Sequence, residues 1–232
     1  MKKFRLSTKL LVGSAVLAWA GMANAVNLIS NGSFETLNPT FFVPGLGGFD
    51  APAPGNYYSL DSNAPKKDWI QSWEVFNDTL AWIAGPLQGL TAQDQVRFLD
   101  LTDTQQSNPF GGIRQDVNLA ANTLYNLSFW LGTSTAFNGN TTVQVVVGAG
   151  NSITFESAPP AGVNAWINKA VTFNSGAGGP TTIAFLGWLG VDYIGLDNVS
   201  VTVVPEPSSI AMLFAGLAAV GGVVARKRKQ MG

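Results

Sequence analysis

Thr123-Leu124-Tyr125-Asn126-Leu127-Ser128-Phe129-Trp130-Leu131 decides the fold. Tyr125, Leu127, Phe129 and Leu131 fall on one side of an extended chain and Asn126 and Ser128 on the other, the period of two that a strand with one buried face requires. The same alternation recurs outward in both directions. Val143, Val145 and Val147 interleave with Thr142 and Gln144, and Val199, Val201 and Val203 with Ser200 and Thr202. Apolar or β-branched segments separated by Gly, Pro, Asn and Asp predict strands at 27–29, 72–76, 80–83, 95–101, 112–119 and 123–131. Further strands are predicted at 141–147, 152–155, 166–173, 181–188 and 193–204. No stretch shows helical spacing with caps. Many short strands in one domain predict an all-β fold, an antiparallel β-sandwich of jelly-roll type. The segment 39–67, rich in Pro, Gly, Asn and aromatic residues, reads as a long surface loop, a place where binding often resides.

The two ends of the chain read as addressing segments. Lys2, Lys3, Arg5 and Lys9 precede an apolar stretch at 10–20 and the small-x-small triplet Ala23-Asn24-Ala25, the pattern of a secretory signal peptide over 1–25. At the far end Pro205-Glu206-Pro207 precedes an apolar run and the basic cluster Arg226-Lys227-Arg228-Lys229. A helix over 208–225 reaches about 27 Å, close to the roughly 30 Å of a hydrocarbon core. The basic residues behind it stay on the cytoplasmic side and leave everything before Pro205 across the membrane. The chain therefore divides into 1–25, a domain at 26–204, and a tail at 205–232.

That tail resembles the PEP-CTERM sorting signal of Gram-negative, biofilm-forming bacteria in its Pro-Glu-Pro triplet, its glycine-bearing apolar run and its basic end. The resemblance implies processing by exosortase, a membrane transpeptidase, and delivery to the cell envelope, cell surface or extracellular matrix. An ordinary uncut membrane anchor is the alternative.

Composition narrows the chemistry. The chain has no Cys and no His, which removes disulfides, Ser-His-Asp and Cys-His nucleophile systems and the usual His-bearing zinc sites. Between Val26 and Glu206 five basic residues face fourteen acidic ones, a formal charge of −9. Such a body is repelled by phosphate backbones, so nucleic acid is excluded as a partner.

Asn31-Gly32-Ser33-Phe34-Glu35 near the start and Ile194-Gly195-Leu196-Asp197-Asn198-Val199 near the end look like the paired motifs of the galactose-binding-like superfamily, which includes many carbohydrate-binding modules. Gln115-Asp116-Val117 and Tyr125-Asn126-Leu127-Ser128-Phe129 are similar to its central strand pair. The resemblance implies that the two end motifs lie side by side. It also implies a structural Ca2+ held by Glu35 and Asp197, helped by Asn31 and Ser33. The competing reading is that both carboxylates accept backbone N–H groups at turns.

Sugar recognition would fall to aromatic rings. Trp130 and Trp188 lie in strand patterns and are expected to be buried, whereas Trp69, Tyr57 and Tyr58 are the candidates for an exposed platform. Asp94, Asp100, Asp103 and Asp116 offer carboxylates for glycoside hydrolysis, but no spacing singles out a pair. The expectation is a non-catalytic polysaccharide-binding module. A structural or adhesive matrix protein is the alternative, and a glycan-active hydrolase the third.

Overall fold

The computed structural model describes residues 26–41, 51–103, 110–134, 141–148, 151–157, 165–189, 193–205 and 216–217. The signal peptide expected at 1–25 and the membrane helix expected over 208–225, apart from the helical pair Gly216 and Leu217, lie outside these residues, as do Glu206 and Pro207. No helix among the described residues is long and apolar enough to cross a membrane.

Among the described residues eleven strands form two antiparallel sheets. They are β1 (Tyr57–Leu60), β2 (Glu74–Phe76), β3 (Leu80–Ala84), β4 (Arg97–Asp100), β5 (Gly112–Leu119), β6 (Leu124–Thr133), β7 (Thr141–Val147), β8 (Asn151–Ser157), β9 (Ala165–Asn174), β10 (Gly179–Leu189) and β11 (Gly195–Val203). One sheet has the order β1-β3-β4-β11-β6-β9 and the other β2-β5-β10-β7-β8. In β6 the alternation is realised as expected: Tyr125, Leu127, Phe129 and Leu131 are at most 2% exposed. They meet Ile113, Val117, Val143, Val145, Ile183 and Phe185 of the opposite sheet in one core. Phe129 sits edge-on to Phe185 with ring centroids 5.0 Å apart, a favoured aromatic geometry.

Two sequence expectations need correction. Residues 27–29 are not a strand. The Leu28 N–H donates to the Val201 carbonyl at 2.8 Å, and the Asn27 side chain accepts from the N–H groups of Ile29 and Val201. A single rung plus one amide side chain thus replaces a ladder. Conversely, the loop expected over 39–67 contains β1, which pairs along its whole length with β3.

Part of the outer face of the six-stranded sheet is covered by the chain itself. The 85–96 connection between β3 and β4 folds back as a strap, and its Leu87, Leu90 and Ala92 pack on Ala81, Ile83, Phe98 and Tyr193 in a second apolar cluster. Trp166 closes its side, donating Nε1–H to the Thr91 carbonyl at 2.8 Å and meeting Phe98 edge-on at 5.6 Å. The indole lies over Gly132, where a methyl group would come within 2.6 Å of the ring.

Candidate functional site

The two end motifs meet as the resemblance implies. Gly32 packs so closely on β11 that a methyl group there would lie 2.1 Å from the Val199 carbonyl oxygen. The Val199 N–H donates back to the Gly32 carbonyl at 2.9 Å. Phe34 is fully buried, and its carbonyl accepts from Trp82 Nε1–H. Asn31, in the left-handed region with φ 52°, accepts from the Thr36 N–H and donates to the Thr36 and Gln71 carbonyls.

Glu35 and Asp197 both grip the end of the strap. Glu35 Oε1 accepts the N–H groups of Val96 and Arg97 at 2.8 and 2.6 Å, while Oε2 pairs with the Arg97 guanidinium at 2.9 Å. Asp197, at 0% exposure, accepts the N–H groups of Gln93 and Asp94 through Oδ2 and that of Asn198 through Oδ1. Burial pushes its carboxyl up to about 7, against the pull of those N–H donors. Gln93 and Asn198 join side chain to side chain at 2.8 Å, and Gln95 reaches the Ser33 hydroxyl. Every carboxylate oxygen of Glu35 and Asp197 thus faces an N–H donor, the turn-holding arrangement. As placed, the pair does not fit a calcium ion, which needs six to eight oxygens with free lone pairs. Among the described residues no cluster of three or more acidic side chains could hold a metal.

The aromatic platform expected from Trp69, Tyr57 and Tyr58 is not assembled. Trp69 is 6% exposed and belongs to the core, because the 3-10 turn Lys66–Asp68 rolls it inward onto Tyr58, edge to face at 6.1 Å. Tyr58 is half-buried, and Tyr57 alone of the three is exposed. Trp188, expected in the core, is 38% exposed at the irregularity where the register of β10 on β7 shifts; Trp130 is half-buried.

A site with room for a ligand lies on the five-stranded sheet. β2 pairs with β5 over Glu74–Phe76, and among the described residues no further strand pairs with that edge of β5 beyond Arg114. A cleft of about 660 Å³ opens there, walled by Asn38, Asp68 and Glu74 and floored by Arg114, Asp116 and Thr182. Arg114 is held on two sides: its Nε and Nη2 meet Glu74 Oε2 at 2.9 Å, and its guanidinium lies 5.6 Å from the centre of the Phe76 ring. Glu74 also accepts from Lys67 Nζ at 3.1 Å. Desolvation alone would raise the Glu74 carboxyl, but the Lys67 and Arg114 hydrogen bonds together hold it below the usual carboxylate range. Asp116 Oδ1 accepts from the Thr182 hydroxyl at 2.6 Å across the β5–β10 pair. The result is an open row of fixed, oriented donors and acceptors. Of the carboxylates considered for hydrolysis only Asp116 reaches this cleft. Asp100 is buried in the six-stranded sheet, and desolvation pushes it up to about 6.

Residues 203–229 carry the PEP-CTERM protein-sorting motif. No curated protein is similar to the chain in sequence. Among solved structures, a cyclase from Fischerella sp. TAU is similar at 16% identity and a TM-score of 0.53, over 78% of this chain and 98% of that one. TmCBM61 in complex with β-1,4-galactotriose is similar at 16% identity and a TM-score of 0.43, over 78% of this chain and 100% of that one. A family 35 carbohydrate binding module from Clostridium thermocellum is similar at 15% identity and a TM-score of 0.39, over 63% and 97%. At such identities a likeness speaks for the fold alone, and of these three only the cyclase exceeds a TM-score of 0.5.

Proposed function

We propose that this chain is an exported, exosortase-sorted surface or matrix protein whose jelly-roll, galactose-binding-like domain binds polysaccharide without catalysis. The observation that carries the binding reading is the cleft at the β5 edge, where Glu74 and Phe76 hold Arg114 in place beside Asp116 and Thr182. Prefixed polar groups of this kind hydrogen-bond hydroxyls at little entropic cost. The Glu74 carboxyl, held low, suits an acceptor better than a proton donor. The carboxyls that burial raises, Asp100 and Asp197, belong to the six-stranded sheet rather than to the cleft. The sorting reading rests on the motif at 203–229 and on the signal-peptide pattern at 1–25. A calcium ion is not part of this proposal.

Affinity electrophoresis of the full chain in gels containing exopolysaccharide tests it. Retardation that Arg114→Ala and Asp116→Ala each reduce, with an affinity about tenfold lower for Arg114→Ala, is the expected result. Equal migration of wild type and variants in every glycan gel, with the purified chain assembling on itself, would favour the adhesive reading. Reducing-sugar release would favour the hydrolase.

A further inference from the structure

One pole of the sandwich differs from the rest of its surface. The ladder between β6 and β11 ends there with the Val204 N–H donating to the Leu124 carbonyl at 2.9 Å, and the next residue is Pro205, exposed and first in the sorting triplet. Val26, Leu124 and Val203 are 75, 47 and 41% exposed at this end. Val26 belongs to it because Leu28, two residues on, bonds Val201. The 120–123 turn and the 174–178 turn close the same pole, joined by Asn122 N–H to Gly176 O and Ser175 N–H to Thr123 O. A groove of about 230 Å³ opens between the sheet ends there, lined by residues such as Leu119, Phe173, Asn174 and Pro180.

None of these segments carries a charged side chain, although the body is strongly acidic: no Asp, Glu, Lys or Arg occurs at 26–34, 117–155, 170–191 or 198–205. A surface without charged side chains and tipped with aliphatic ones avoids the desolvation cost of such charges and the repulsion of carboxylates from anionic lipid, and the α-ammonium left at Val26 by signal-peptide removal is a charge that anionic lipid attracts. The tether is short as well. Ser208, where the proposed membrane span begins, is at most about 11 Å from Pro205 at roughly 3.6 Å per residue, so the pole cannot stand far from the head groups.

We infer that the pole bearing Val26, Leu124 and Val203 is the membrane-facing end of the domain and rests on the lipid interface while the tail remains attached. This rests on the proposed membrane-spanning tail and is independent of glycan binding.

The chain lacks Cys, so single-cysteine variants report position directly; they are made in the chain from Val26 to Gly232, without the 1–25 leader, so that the tail is the one long apolar segment offered to the vesicles. Leu124→Cys, Val203→Cys and, toward the opposite end of β6, Thr91→Cys are labelled with an environment-sensitive fluorophore. They are then reconstituted into phosphatidylethanolamine–phosphatidylglycerol vesicles containing nitroxide-labelled lipid. β6 is 10 residues long, which separates the two ends by roughly 30 Å. At least twofold stronger quenching at 124 and 203 than at 91 is expected, unchanged when the phosphatidylglycerol fraction is varied. Leu124→Glu combined with Val203→Glu should halve the quenching of a label at Thr123. Flotation of the protein with vesicles but equal or absent quenching at all three positions would overturn the inference and leave the tail reading standing. Failure to float with vesicles would remove both.

Discussion

The two sheets treat their outer faces in opposite ways. The six-stranded sheet is roofed by its own 85–96 strap, sealed by Trp166 and fastened by Glu35 and Asp197, so its polar groups are spent on backbone. The five-stranded sheet keeps a short edge strand and leaves Arg114, Asp116 and Thr182 facing an open cleft. Carboxylates alone therefore do not mark the functional face. Those the sequence makes prominent, in the two end motifs, are fasteners, and the ones a ligand can reach are modest outward positions on ordinary strands.

The contrast is sharpest in stability. Removing the buried fastener with Asp197→Ala strands the Gln93 and Asp94 N–H groups and should cost about 3 kcal/mol, measured by denaturant unfolding. A loss below about 1 kcal/mol would mean that the strap is not what closes this face. Acidity probes the same face. Asp100 and Asp197 sit at about 6 and about 7 in the fold but near 3.9 unfolded, so the folded state keeps protons that the unfolded chain has released. The resulting stabilisation is complete below about pH 4 and lost as pH rises through 6 and 7, at up to roughly 1.4 kcal/mol per pH unit per proton. Unfolding measured from pH 5 to 8 should show stability falling as pH rises, with a shallower slope in Asp197→Asn. A flat profile for the wild type contradicts the burial argument.

On the open face the order reverses. Arg114→Ala should weaken glycan binding about tenfold, near 1.4 kcal/mol, while changing stability by less than about 1 kcal/mol, because exposed ion pairs contribute little. Tyr57→Ala, on the six-stranded sheet, should leave glycan retardation unaltered. The smallest effect expected is from chelation: with every Glu35 and Asp197 oxygen facing an N–H group, EDTA should not move the melting temperature. A drop of several degrees would restore the calcium reading.

Much of the fold was legible because a strand with one buried face writes itself as alternation, as β6 and β11 do, and because Gly32 marks a close backbone approach that admits no side chain. Strand ends were less legible. β6 continues through Gly132 and Thr133, and β10 through Leu189, where glycine and the irregularity at Trp188 blur the period. β1 was hidden since Tyr57–Leu60 is short and bounded by turn residues, and its pairing with β3 is visible only in three dimensions. Trp69 misled for a related reason: a polar neighbourhood in sequence says nothing of which way a 3-10 turn rolls the ring. The cleft could not be read at all as a unit. Arg114 and Asp116 show as outward positions of β5, but Asp68, Glu74 and Thr182 arrive from elsewhere in the chain, and no local pattern records that β2 stops after three residues.

β11 has a mechanical consequence. It lies inside its sheet, bonded to β4 on one flank and β6 on the other, and it is the strand that runs directly into Pro205. A pull transmitted through the tail acts along the strand axis. The β6 rungs along most of the strand, with the two β4 pairs at Gly195 and Leu196, then bear the load in shear instead of parting one after another.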